Sequence, residues 1–183
     1  MLILLGKTCS GKLAIQRELS NLGIPKILEY TTRPPGMGEE DGYPYHFISE
    51  REFYDLYRRG FFAVTTSVKA GSGVVWHAGV AERDLVPYSV MIGNLANINK
   101  LRKLHFAKPV VFYVDTDESV IYEELRRRCD SAYEAQRKLM GERDAFSSIE
   151  YLADYRIRND GLAEMEELAG KIKNLYEYHV PLM

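Results

Sequence analysis

Met1-Leu2-Ile3-Leu4-Leu5-Gly6-Lys7-Thr8-Cys9-Ser10-Gly11-Lys12 is the stretch on which the reading of the whole chain depends. Five apolar residues lead straight into G-x-x-x-x-G-K. Leu13, Ile15, Gln16, Leu19 and Leu22 then follow at helical spacing, and Gly23 closes the segment. Strand, glycine-bearing loop and helix N-terminus together make an anion site. Backbone N–H groups point into the loop, the helix dipole adds positive potential, and Lys12 adds a full charge. Gly6 to Leu13 are therefore expected to hold the phosphates of a nucleoside triphosphate. The position after the lysine should carry a hydroxyl for magnesium. Here it is Leu13, which has no ligand atom.

The bulk properties narrow the field. The chain has 183 residues, enough for one domain with a small lid or insertion. A formal net charge of −2 argues against a polyelectrolyte clamp, so no nucleic-acid partner is expected. The two cysteines, Cys9 and Cys129, fit neither a metal pattern nor a disulfide framework, and Cys9 reads as loop filler. The apolar start is short and has no charged leader or cleavage region. Neither a signal peptide nor a membrane span is expected, and a cytoplasmic setting follows.

Ile24 to Tyr30 reads as a second strand. Thr31 to Phe47 is dense in proline and glycine, yet carries Arg33, Glu39, Tyr43 and Tyr45. A planar cation with carboxylates and rings suits a second nucleotide. The motifs Thr31-Thr32-Arg33-Pro34-Pro35, Gly38-Glu39-Glu40-Asp41-Gly42 and Tyr45-His46-Phe47-Ile48-Ser49 follow in order. With the opening loop, the helical stretch Glu50 to Gly60 and the segment Asp154-Tyr155-Arg156-Ile157-Arg158-Asn159-Asp160, the chain resembles the guanylate kinase family over nearly its whole length.

That resemblance implies an α/β, three-layer P-loop NTPase fold. It has a central parallel sheet, a small mixed-sheet GMP-binding subdomain and a helical lid. The divisions are core 1–32, 78–127 and 147–183, acceptor subdomain 33–77 and lid 128–146. It implies ATP-dependent phosphorylation of a nucleoside monophosphate, most simply GMP to GDP, with Mg2+ accompanying ATP and a monomer or homodimer. Arg33 would grip the GMP phosphate, Glu39 would order the site and Tyr45 would bond the same phosphate. Asn159, with Asp160, would lie near the adenine.

Departures from the family pattern are as informative. A second arginine is replaced by Gly36, a serine by Glu29, a guanine-associated carboxylate by Ala63 and an aspartate by Gly93. Guanine offers N1–H and N2–H₂ as adjacent donors, so Glu29, if it points into the pocket, is expected to supply the acceptor that Ala63 lacks; the alternative reading is a solvated glutamate at a strand end. His77 stands where the family has a tyrosine-bearing element, and a lone histidine there is more often an ordinary surface residue.

The remaining pattern is α/β. Phe61–Lys69 and Val74–His77 read as a hairpin about Gly71-Ser72-Gly73, and 78–85 as a short helix. Ser89–Ile92 and Val110–Val114 read as buried strands, with a helix over Asn97–Phe106 between them. Asp115 to Asp117 should cap a helix running to Arg128, and a second helix spans Ser131–Phe146. Arginines at this helix–turn–helix suit a lid, and Arg128 and Arg137 are the expected catalytic pair beside Lys12 and Arg33. A last strand, Tyr155–Asn159, and a helix over 162–178 complete the chain. Two other readings stay open: a catalytically weakened nucleotide-binding or protein-interaction module, and a kinase with a different nucleotide acceptor.

Overall fold

The computed structural model describes residues 1–36, 38–69, 73–128, 131–161 and 164–180. The elements are β1 (Leu2–Leu5), α1 (Lys12–Asn21), β2 (Lys26–Ile27), β3 (Tyr30–Thr31), β4 (His46–Phe47), α2 (Glu50–Arg58), β5 (Phe62–Lys69), β6 (Val75–Ala81), β7 (Val90–Ile92), α3 (Ile98–Leu101), β8 (Val110–Thr116), α4 (Glu118–Arg128), α5 (Ala132–Ala145), β9 (Tyr155–Asn159) and α6 (Met165–His179). Five strands form a parallel sheet in the order β2-β7-β1-β8-β9. A second, mixed sheet runs β4-β3-β6-β5.

Alternation along β1 decides the layering. Leu2 and Leu4 pack with Val110, Phe112, Val114 and the apolar faces of α1 and α6. Ile3 and Leu5 pack on the other face with Met91, Val111, Tyr113, α3, and Val64 and Val80 of the mixed sheet. All four β1 side chains are fully buried, as expected of a central parallel strand covered on both sides. The molecule is thus a three-layer α/β P-loop fold with an added mixed sheet.

The segment 24–30 does not form one strand. β2 belongs to the parallel sheet and β3 to the mixed sheet, so the chain changes sheets at Leu28 and Glu29. The expected helix over 78–85 is also corrected. β6 continues to Ala81 because its far half pairs with both β3 and β5, and only Glu82–Asp84 turn helically. The helix expected over 97–106 is a single turn, α3, followed by a short helical turn at His105–Ala107. The expected turn residues Gly71 and Ser72, the lid residues Cys129 and Asp130, and the expected start of the last helix at 162 lie outside the described residues.

The carboxyl ends of the five parallel strands lie along one edge. Following spatial order, the edge carries Glu29 beyond β2, Gly93 to Asn97 beyond β7, the loop Gly6 to Gly11 beyond β1, Asp115 to Glu118 at β8, and Asn159 at β9. Open α/β sheets bind ligands at this edge, where strand order reverses. Here the reversal falls at β1.

Candidate active site

The loop after β1 is held from behind. The Ser10 carbonyl accepts from the Asn159 Nδ2 amide at 3.0 Å and the Thr116 hydroxyl at 3.2 Å. Gly11 sits at φ +89°, and a β-carbon there would lie 2.7 Å from Asn159 Nδ2. Both facts require glycine. Cys9 also adopts a left-handed backbone, φ +62°. Such a conformation costs on the order of 1–2 kcal/mol. Burying any one of the β1 side chains contributes about 1.5–3 kcal/mol, so the strand holds the strained loop.

Lys12 folds over the loop. Its ammonium donates to the Gly6 and Lys7 carbonyls at 2.8 and 2.6 Å and to Ser10 Oγ at 3.2 Å. Burial lowers its pKa to about 8, opposed by the Glu142 charge. The N–H groups of Cys9, Gly11 and Lys12 donate to no described residue, so they remain open to an anion. Cys9 packs against a cluster of Ile121, Leu125, Ala135 and Leu139 on α4 and α5. Burial pushes its thiol up, which keeps it protonated and fits the filler role.

Helix α5 touches the rim of this loop. Glu142 on α5 accepts from the Thr8 backbone N–H at 2.7 Å and from the Thr8 hydroxyl. Next to it Glu118 binds Lys7 at 2.9 Å and Arg143. Hydrogen bonds from Arg143 and Lys7 hold Glu118 down at about 2. Among the described arginines of α4 and α5, Arg143 is linked to the loop through Glu118. Arg128 ends α4 paired to Glu124 at 2.7 Å, close enough for its charge to act on Cys9. Arg137 is exposed and lies two residues from buried Ala135, on the opposite side of α5. In this arrangement it is not brought to the loop.

The second constellation lies across the mixed sheet. Arg33 pairs with Glu39 at 2.8 and 3.1 Å and stacks over Tyr45 and Phe47, with ring centres 5.4 and 5.5 Å away. Burial works against the Glu39 charge, but Arg33 and the Gly36 N–H hold its carboxyl below the usual range. Gly36 therefore anchors Glu39 with its amide, where the family pattern has an arginine. The pairing with Glu39 and a bond to the Pro34 carbonyl leave Arg33 two N–H donors, Nε–H and one on Nη2. The Tyr45 hydroxyl bonds no described residue. Burial raises its pKa, and the charges of Glu29, Arg33 and Glu39 all act on it. The three charges therefore lie near the Tyr45 hydroxyl.

Glu29 lies at the chain crossing between the two sheets, bonded to Asn97. Its Oε1 accepts from Asn97 Nδ2 at 3.0 Å, and burial raises its pKa to about 7. Ala63 sits at an irregularity in the pairing of β5 and packs on the core. Gly93 is pressed against β1, where a β-carbon would lie 2.6 Å from Ile3 Cγ2. Asn159 supports the back of the loop through Ser10. His77 is enclosed, stacked on Phe53 and bonded to Ser67 and Tyr54. Two clefts of about 340 and 320 Å³ open elsewhere and include none of the candidate residues.

Magnesium finds no protein cage. Leu13 and Gly93 offer no ligand, and the Thr8 hydroxyl is taken by Glu142. Among the described residues no cluster of three His, Cys, Asp or Glu is placed to share an ion. The donor set does not fit a resident metal.

Comparison with known proteins agrees with this layout. No protein-family model matches the chain. The guanylate kinase of Desulfotalea psychrophila is 26% identical over 165 residues, covering 85% of this chain and 78% of that protein. That of Helicobacter pylori is 27% identical over 177 residues, covering 92% and 83%. A solved guanylate kinase from Anaplasma phagocytophilum superposes with a TM-score of 0.69, covering all of this chain and 87% of its own, at 22% identity. Over nearly its whole length the chain resembles guanylate kinases, at a divergent level of identity. Within that family's frame, sequence reasoning missed Asn97, Glu118, Glu142 and the link through Arg143. Asn97 had no motif to mark it. Glu142 was legible only as the helical neighbour of buried Leu139, three positions on.

Proposed function

We propose that this protein transfers the terminal phosphoryl group of Mg·ATP to a nucleoside monophosphate, with GMP as the favoured acceptor and the cytoplasm as its setting. The observation that carries the reading is the pairing of two anion sites in one fold. One is the loop with open amides under Lys12. The other is the clamp of Arg33, Glu39 and Tyr45, with two arginine donors and one hydroxyl unspent. Core 1–32, 78–127 and 147–183, acceptor subdomain 33–77 and lid 128–146 remain the working division.

The reaction needs positioning and positive charge more than covalent help. An acceptor phosphate oxygen attacks the terminal phosphorus while the bridging oxygen leaves with ADP. Lys12 and the loop amides hold the donor phosphates. Arg33 and Tyr45 hold the acceptor phosphate, with Glu39 fixing the guanidinium. Arg143 and Arg128, at the lid, are available to neutralise the moving group. Among the described residues no helix is long and apolar enough to cross a membrane.

The test is ADP release with GMP, dGMP, AMP, CMP and UMP, run on wild type and Lys12→Ala. Turnover that is highest with GMP and depends on Lys12 is the expected result. No turnover with any acceptor at high enzyme and magnesium would favour a binding module instead.

A further inference from the structure

The geometry points to Glu29, held in place by Asn97, as the group that reads the acceptor's base through two adjacent N–H donors. This deepens the proposed function and rests on it. The base reader has moved from β5 to the chain crossing between the two sheets.

Four observations carry the inference. First, the positions where the family pattern puts carboxylates hold none here. Ala63 packs on the core, and Gly93 has no room for a side chain against Ile3. Second, the Glu29 backbone is pinned. Its carbonyl accepts from His46 N–H at 2.9 Å, and β3 starts at the next residue. Third, the side chain is pinned by a residue that cannot swing. Asn97 is fully buried and exchanges two bonds with Asn94, at 3.0 and 3.2 Å, at the start of α3. Ile98 and Leu101 of α3 are themselves fully buried. Fourth, the carboxylate is only half used. Oε1 is bonded to Asn97, while Oε2 bonds no described residue and is not among the sealed, unsatisfied atoms. A carboxylate has about four acceptor sites, so most of its capacity is unspent.

Tyr45 lies near, and the charges of Glu29, Arg33 and Glu39 act together on its hydroxyl. A base bonded to Glu29 and a phosphate bonded to Arg33 would be the two ends of one nucleotide. Guanine N1–H and N2–H₂ form the matching donor pair. Hypoxanthine keeps N1–H and lacks the amino group. Asn97 acts through Glu29, so it is a positioning residue.

The experiment compares GMP with IMP as acceptors for wild type, Glu29→Gln and Asn97→Asp, with saturating Mg·ATP. Asn97→Asp keeps the acceptor for Asn94 N–H but removes the donor to Glu29. Wild type should prefer GMP in kcat/KM by at least about tenfold, since a site built for an N–H group rejects the analogue lacking it. Both variants should bring that ratio to within about threefold, chiefly through the KM for GMP, while the KM for ATP stays within about twofold. A wild-type ratio near one, or a Glu29→Gln ratio equal to that of wild type, overturns the assignment. Turnover of neither nucleotide by wild type overturns the kinase reading itself. Equilibrium titration of GMP and IMP onto each variant gives the same ratio if turnover is slow.

Discussion

Lys12 and Glu29 are two half-buried charges with opposite consequences. Lys12 has a folded-state pKa near 8 against the usual 10.5. Its charge therefore costs stability at neutral pH, and that cost fades as pH rises through 8 towards 10.5. Lys12→Ala should lower kcat/KM by about 10²–10³-fold, the scale of losing one preorganised charge-stabilising donor. Its melting temperature should not fall, which circular dichroism checks. Glu29 has a folded pKa near 7 against the usual 4.5. Between those values the folded state binds the extra proton, so stability declines as pH rises, with the full cost in place above 7. Glu29→Gln should melt higher than wild type at pH 8, and the gap should close near pH 4. The carboxylate form is the one that accepts from guanine, so the GMP-to-IMP ratio of kcat/KM should rise with pH through 7. The phosphate is common to both nucleotides and drops out of that ratio.

At the scale of elements, α5 sets the state of the phosphate loop. Its face of Ala135, Leu139 and Glu142 packs towards α4 and Cys9, which places the Glu142 carboxylate on Thr8. A carboxylate bonded to a loop amide occupies the kind of position a phosphate oxygen would take. Removing its charge should favour ATP. Glu142→Gln is expected to lower the KM for ATP by about 2- to 10-fold, the scale of one exposed charge-assisted hydrogen bond. Steady-state titration of ATP at saturating GMP measures it, and an unchanged or raised KM counts against the contact. The element boundaries also show what pattern alone could reach. Tyr155–Asn159 alternates cleanly and was legible. The segment 24–30 was not, because its apolar spacing is satisfied by two different sheets.

Over the whole molecule, core packing and site chemistry compete for the same positions. Gly93 follows β7 at the binding edge, yet its α-carbon abuts Ile3 in the layer between the parallel sheet and the mixed sheet. Gly93→Asp, which would restore the family motif, should cost about 2–4 kcal/mol through overpacking and a buried charge. It should not increase magnesium affinity. Urea unfolding and magnesium dependence of the rate test the two halves. The layering that forbids an aspartate at 93 also buries Asn97 and frees Glu29 for another task.

The sequence by itself determined the parallel α/β core, the phosphate loop and the group Arg33, Glu39 and Tyr45. Local pattern suffices where strand, loop and helix are contiguous and the ligand is held by backbone amides. Only the tertiary structure decided that Asn159 supports the loop, that Arg137 faces away from it in this arrangement, that Asn97 grips Glu29 and that Glu142 meets Thr8. Those contacts join residues 68 to 149 positions apart. Such pairings depend on how sheets and helices stack, and no spacing along the chain encodes them.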